Sequence, residues 1–219
     1  MAHRSDRRLL MLHGLRVTGV TDAGSLADAV AVPIGDVAAR LGRLAEEGLV
    51  EHRGRPPAGW GLTPSGRVEA GQLVSRELGA TGARPAVASA YERFRALNPG
   101  VLDACSRWEV RDIAGVAVRN DHRDPDYDAG VIADLASLHR RAEPVCRDLA
   151  AALERYRPYG RRLTRALVRI EAGEGDWFTR PAIASYHTVW FQWHEDLLTT
   201  LDLDRTAERA AADAAEAVS

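Results

Sequence analysis

Apolar side chains recur at helical spacing along most of this chain, and the interruptions are short. Residues 7–16 set Leu9, Leu10, Leu12 and Leu15 close enough for one apolar stripe, which predicts a first helix. Residues 17–20 (VTGV) are β-branched and broken by glycine, which predicts a brief extended strand. Thr21 or Asp22 can accept the unpaired N–H groups of a second helix, with Leu26, Ala29 and Val30 facing inward. Pro33 suits the first turn of a third helix, in which Ile34, Val37, Leu41 and Leu44 make a single inward stripe. Gly48, after Glu46 and Glu47, stops it. Residues 49–53 then read as a strand, 54–59 as a proline- and glycine-rich tip, and 60–62 as the returning strand. Thr63 and Pro64 open a fourth helix running to about residue 79.

Residues 79–85 (GATGARP) are the most linker-like stretch and divide an N-terminal domain, 1–80, from a C-terminal one, 85–219. Beyond them the pattern predicts helices almost throughout. Residues 87–97 carry Tyr91 and Phe94, and Asn98-Pro99 is a fresh cap-and-start signal leading into 101–110. The charged, proline-broken run 120–128 (NDHRDPDYD) reads as a surface loop. A long amphipathic stretch follows over 130–156, with Pro144 as a kink or break. Residues 159–172 make another helix, 173–181 a loop holding Trp177 and Phe178, and 182–201 a strongly apolar last helix. The alanine- and charge-rich tail from Asp204 predicts a solvated, fraying helix. The expected fold class is mainly α, with a small β-hairpin in the first domain and an all-α second domain.

The third helix carries the sharpest chemistry. With its apolar stripe turned inward, Gly35, Asp36, Ala38, Ala39, Arg40 and Arg43 face outward. Small side chains near its start let a base-pair edge approach. Arg40 and Arg43 can make paired hydrogen bonds to guanine or grip phosphates, and Ala38 and Ala39 can pack on thymine methyls. In the hairpin, Arg53 and Arg55 flank Gly54 ahead of the stiffening Pro56-Pro57, and such a tip adds salt-dependent affinity for a phosphate backbone. His52 belongs to the strand, and Trp60 covers the small core. An ordinary charged helix face is the bland alternative, and the arginine-tipped hairpin weighs against it.

Two further stretches carry a family likeness: residues 44–50 (LAEEGLV), which close the third helix into the hairpin, and 61–66 (GLTPSG), which leave it. Over residues 8–78 the chain resembles winged helix-turn-helix regulators, the MarR-like branch in particular. The resemblance implies a homodimer on a pseudopalindromic DNA operator, commonly a repressor and commonly released by a small ligand. Family members place a longer dimerising helix ahead of this unit, whereas about a dozen residues precede it here. Dimerisation is therefore expected from the C-terminal helices, and the family's ligand crevice does not carry over.

Composition narrows the picture only modestly. The 219 residues, 46% hydrophobic and 27% charged, are ordinary soluble material for one compact domain or two small ones. A net charge of −2 argues against an indiscriminate nucleic-acid coat. All 29 basic residues other than histidine are arginine; GC-rich coding accounts for that, although the planar fork also suits phosphate and guanine. Residues 1–16 hold Arg4, Arg7, Arg8 and Arg16 against Asp6 alone. No run approaches the roughly 18 apolar residues of a membrane span, and the charged start is unlike a signal peptide, so a cytoplasmic location is expected. Cys105 and Cys146 read as isolated, buried, inert thiols.

The C-terminal region holds Trp108, Trp177, Trp190 and Trp193. On the last helix His187, Trp190, Phe191, His194 and Leu198 fall on one face, and Tyr186 with Trp193 on another. Such a face either lines an effector pocket, with a histidine as polar handle, or is buried in a core or dimer interface. The effector set is read as Trp108, Arg157, Trp177, His187, Trp190, Phe191 and His194. The run 155–165 clusters Arg155, Arg157, Arg161, Arg162 and Arg165, either a solvated face or a site for an anion. His187 and His194 stand seven apart, not at the three- or four-residue spacing of helical metal pairs, and no phosphate loop, nucleotide fingerprint or nucleophile elbow is present. No metal, cofactor or catalysis is expected. The expected function is a ligand-responsive DNA-binding regulator, in which effector binding shifts the dimer away from matching two half-sites about one DNA turn apart. The rival is a winged-helix docking module that does not read DNA.

Overall fold

The structure, a computed structural model, describes residues 2–203, mainly α-helical and grouped into two compact units. One unit comprises residues 5–88 with 192–203; the other comprises residues 2–4 and 89–191.

In the first unit, α1 (Arg7–Thr18) starts where the Asp6 side chain accepts the Arg8 N–H at 2.7 Å. Val17 and Thr18, expected as strand, instead complete its last turn. Val17 is buried, and the Thr18 hydroxyl donates back to the Gly14 carbonyl, so burial overrides local β preference. None of residues 17–20 forms a strand, and the neighbouring Thr21 makes a single antiparallel bridge to Trp60. Asp22 accepts the N–H groups of Gly24 and Ser25 and so caps α2 (Ala23–Val30). Pro33 precedes α3 (Ile34–Glu46).

Val37, Leu41 and Leu44 are buried as their spacing predicts, but Ile34 is 60% exposed and leaves the stripe. It sits in the first turn, at the end of the helix that its neighbours do not cover. The core of this unit gathers Met11, Leu12 and Leu15 of α1, Leu26 of α2, and Val37 and Leu41 of α3, none more than 1% exposed.

β1 (Val50–Arg53) pairs antiparallel with β2 (Gly59–Leu62), Val50 opposite Leu62 and Arg53 opposite Gly59. The Thr63 hydroxyl donates to the Gly48 carbonyl and accepts the Gly66 N–H, which ties the hairpin base to the start of α4 (Pro64–Thr81). Gly66 itself packs so closely that a Cβ there would overlap the Leu49 carbonyl oxygen. Residues 79–85 hold the last turn of α4, a left-handed Gly82 (φ 62°) and the start of α5 (Arg84–Glu109).

The second unit departs further from expectation. α5 runs unbroken through Asn98-Pro99, because Phe94, Leu97, Val101 and Ala104 bury one continuous face. That burial outweighs the roughly 3 kcal/mol cost of an interior proline, and Asn98 is used sideways, accepting the Trp190 indole N–H at 2.9 Å. The all-α expectation fails at β3 (Val110–Ile113) and β4 (Val116–Arg119), an antiparallel hairpin turned by Ala114 and Gly115 at φ 54° and 84°. Two positive φ values are what a two-residue hairpin turn requires.

α6 (Pro125–Ala152) starts within the run expected as loop, capped by Asp124, and passes through Pro144 without a break. A single 3-10 turn (Glu154–Tyr156) leads into α7 (Arg157–Glu171). A short α8 (Asp176–Thr179) occupies the expected loop, and α9 (Tyr186–Leu201) starts later than expected. Residues 186–191 of α9 group with this unit and those from Gln192 with the first. The tail from Asp204 lies outside the described residues. Among the described residues no helix is long and apolar enough to cross a membrane.

Candidate functional site

On α3, Gly35, Ala38, Ala39 and Arg43 are exposed and Arg40 is half-buried, so all five lie on the face that the core leaves open. A side chain added at Gly35 would meet nothing within 4 Å. Arg40, Arg43 and Arg55 have no ion-pair partner among the described residues, which leaves three guanidinium forks available to an anion. Arg53 differs: its Nη2 and Nε lie 2.8 and 2.9 Å from Glu51 Oε1 on the same strand. His52 lies on β1, its ring edge-on to Trp60 at 5.1 Å, and Trp60 packs on the core of the first unit.

The end of α3 is clamped. Arg8 reaches Glu47 at 2.6 Å and Glu69 at 3.0 Å, joining α1, α3 and α4, and the Glu47 hydrogen bond raises the Arg8 pKa above its ordinary value. Arg8 therefore holds the outward face in place rather than adding to it, a role its position in a basic N-terminal stretch does not reveal. A second clamp is buried: His13 Nε2 lies 2.9 Å from Asp196 Oδ1, which also accepts from the Thr200 hydroxyl. That pair fastens residues of α9 to α1 within the first unit.

In the second unit the expected effector residues scatter. Trp108 and Trp177 line one groove of about 1250 Å³ together. Trp190 is a core residue, stacked on Phe94 at 4.6 Å. Arg157 is exposed and pairs with Glu154 at 3.5 Å. Phe191 is 48% exposed, and half-buried His194 groups with the first unit. His187 is half-buried, and loss of hydration lowers its pKa.

The arginine run divides too. Arg155 and Arg162 are buried, Arg155 lying 4.4 Å over the Tyr156 ring, while Arg161 and Arg165 stay exposed. Both cysteines are buried, and desolvation pushes each thiol up to about 12, far from a reactive thiolate. Among the described residues no group of three histidine, cysteine or acidic side chains could hold a metal ion.

Residues that the sequence did not assign to an effector site stand at the same groove: Arg119, His122 and Asp128. Asn120, 3% exposed, donates to the Trp108 carbonyl (3.1 Å) and to Asp128 Oδ1 (2.8 Å). His122 Nδ1 lies 3.0 Å from Asp128 Oδ2, and its ring sits 4.4 Å from Trp108. A polar, proline-broken run looks like plain loop, and only the pairing across space shows these side chains as one network. No family model matches the chain, and neither a curated protein nor a solved structure matches it significantly.

Proposed function

We propose that this chain is a DNA-binding transcription regulator whose first unit reads a double-stranded operator and whose second unit senses a small molecule. One observation carries the reading: an amphipathic α3 with small residues at its start, Arg40 and Arg43 on its outer face without an ion pair among the described residues, and Arg55 at the neighbouring hairpin tip. In this reading α3 enters the major groove, Arg40 and Arg43 contact guanine or phosphate, and the hairpin grips the flanking backbone. The protein acts as a homodimer on paired half-sites, and effector binding shifts it toward a geometry that no longer fits them.

A docking module is the second reading, favoured by the exposed Ile34 on the same face. Anisotropy titrations against DNA selected from a random duplex library, repeated across salt concentrations, separate the two. The regulator reading expects tight, sequence-dependent binding that weakens steeply with salt. No selected sequence, or a salt slope near zero, overturns it.

A further inference from the structure

The groove of the second unit is built around a network that ties residues 120–122 to the end of α5 and the start of α6. His122 is held at φ 55°, a left-handed backbone that costs a non-glycine residue about 1–2 kcal/mol. Three contacts keep its ring in place: Asp128 at Nδ1, buried Asn120 beside it, and Trp108 against its face. Phe178 covers Trp108 from another side, with centroids 4.6 Å apart and planes 10° from parallel. The ring is thereby fixed at the groove with Nδ1 engaged, and Nε2 is the atom left for a ligand.

Charge at the groove is only partly paired. Glu174 pairs with Arg169 and Asp176 with Arg180, whereas Glu109 accepts the Thr179 hydroxyl and Asp128 meets the Asn120 amide and His122 Nδ1. Exposed Arg119 has no ion-pair partner among the described residues and is the guanidinium at the groove left available to a ligand. Apolar surface comes from half-buried Ile132 and Ile183, with half-buried Trp177 beside them, its ring also carrying Arg165 and Arg169 at 5.8 and 5.1 Å. The volume, about 1250 Å³, lies above the usual ~300–1,000 Å³ of small-molecule pockets.

We propose that this groove binds a planar organic acid, its ring against the tryptophan and isoleucine walls, its carboxylate on Arg119 and a polar group on His122 Nε2. As the signal input of a regulator this rests on the reading above; as a binding site it stands alone.

The test uses the full chain and three aryl acids, phenylacetate, indole-3-acetate and 2-naphthoate, each paired with its primary amide. Calorimetry is expected to show at least one acid binding about tenfold or more tightly than its amide. Arg119→Gln should bring that acid to the level of the amide, while Arg141→Gln, an exposed arginine outside the groove, leaves it unchanged. Binding of no acid, equal binding of acids and amides, or an Arg119→Gln variant that binds like the parent overturns the proposal. DNA affinity measured on the same samples separates the two readings. An acid that binds a protein unable to bind DNA overturns the regulator alone, and DNA binding with no acid bound overturns the groove alone.

Discussion

Two glycines of α4 show how much one Cβ can weigh. Gly66 lies where a side chain would overlap the Leu49 carbonyl, a backbone atom that cannot swing aside, whereas a Cβ on Gly71 would meet nothing within 4 Å. Gly66→Ala should therefore destabilise the first unit by about 1–3 kcal/mol through overpacking. Gly71→Ala should stabilise it by about 0.5–1 kcal/mol through lower unfolded-chain entropy. Thermal unfolding followed by circular dichroism reads both, and equal shifts would refute the close contact.

The arginines carry a second residue-scale expectation. Arg43→Ala should weaken binding to a selected operator by about 1–3 kcal/mol at the bases it contacts. Arg55→Ala should weaken all sequences alike and reduce the salt slope by about one. Identical effects on specific and random duplexes would remove Arg43 from base readout. Arg53 starts from an ion pair with Glu51, so Glu51→Gln should strengthen DNA binding by releasing it.

Among elements, packing decided where local pattern left a choice. The first hairpin is legible because its proline- and glycine-rich tip separates two short runs, and Thr63-Pro64 marks its exit. The second was not. Val110–Ile113 and Val116–Arg119 follow a helix with no stop signal, and Ala-Gly is a weaker turn marker than Asn-Gly. Pro99 and Pro144 mislead in the opposite sense, since both lie within helices whose apolar faces are buried on either side.

α6 also meets α7 and α9 through His139, which lies 3.3 Å from both the Thr164 and Tyr186 hydroxyls. Burial lowers the His139 pKa below its ordinary 6.5, and burial lowers that of His187 as well. Well above pH 6.5 both are neutral, folded or unfolded, and contribute no pH dependence. As pH falls through that value the unfolded chain takes up protons first, so stability declines until the pH passes the lowered folded values. Urea unfolding of the parent should weaken from pH 7 toward pH 5, about as expected for buried neutral histidines. His139→Gln should flatten part of that decline, and an unchanged slope would show that His139 titrates normally.

For the whole molecule, the chain's local code reached a definite distance. Cap residues, helical spacing and turn composition specify α1 to α4 and the first hairpin, because each depends on groups within a few residues of one another. The outward face of α3 was readable for the same reason. Periodicity says which side of a helix is buried but not how far its cover extends, and so Ile34 was misplaced. Whether an arginine is free or engaged depends on distant partners: Arg8 meets Glu47 and Glu69, while Arg40 and Arg43 meet none among the described residues. Through-space pairing also brought Trp108, His122, Asp128 and Trp177 to one groove and set His13 against Asp196. Charge pairing and cavity formation depend on separation in space, which spacing along a chain does not encode once it folds back on itself.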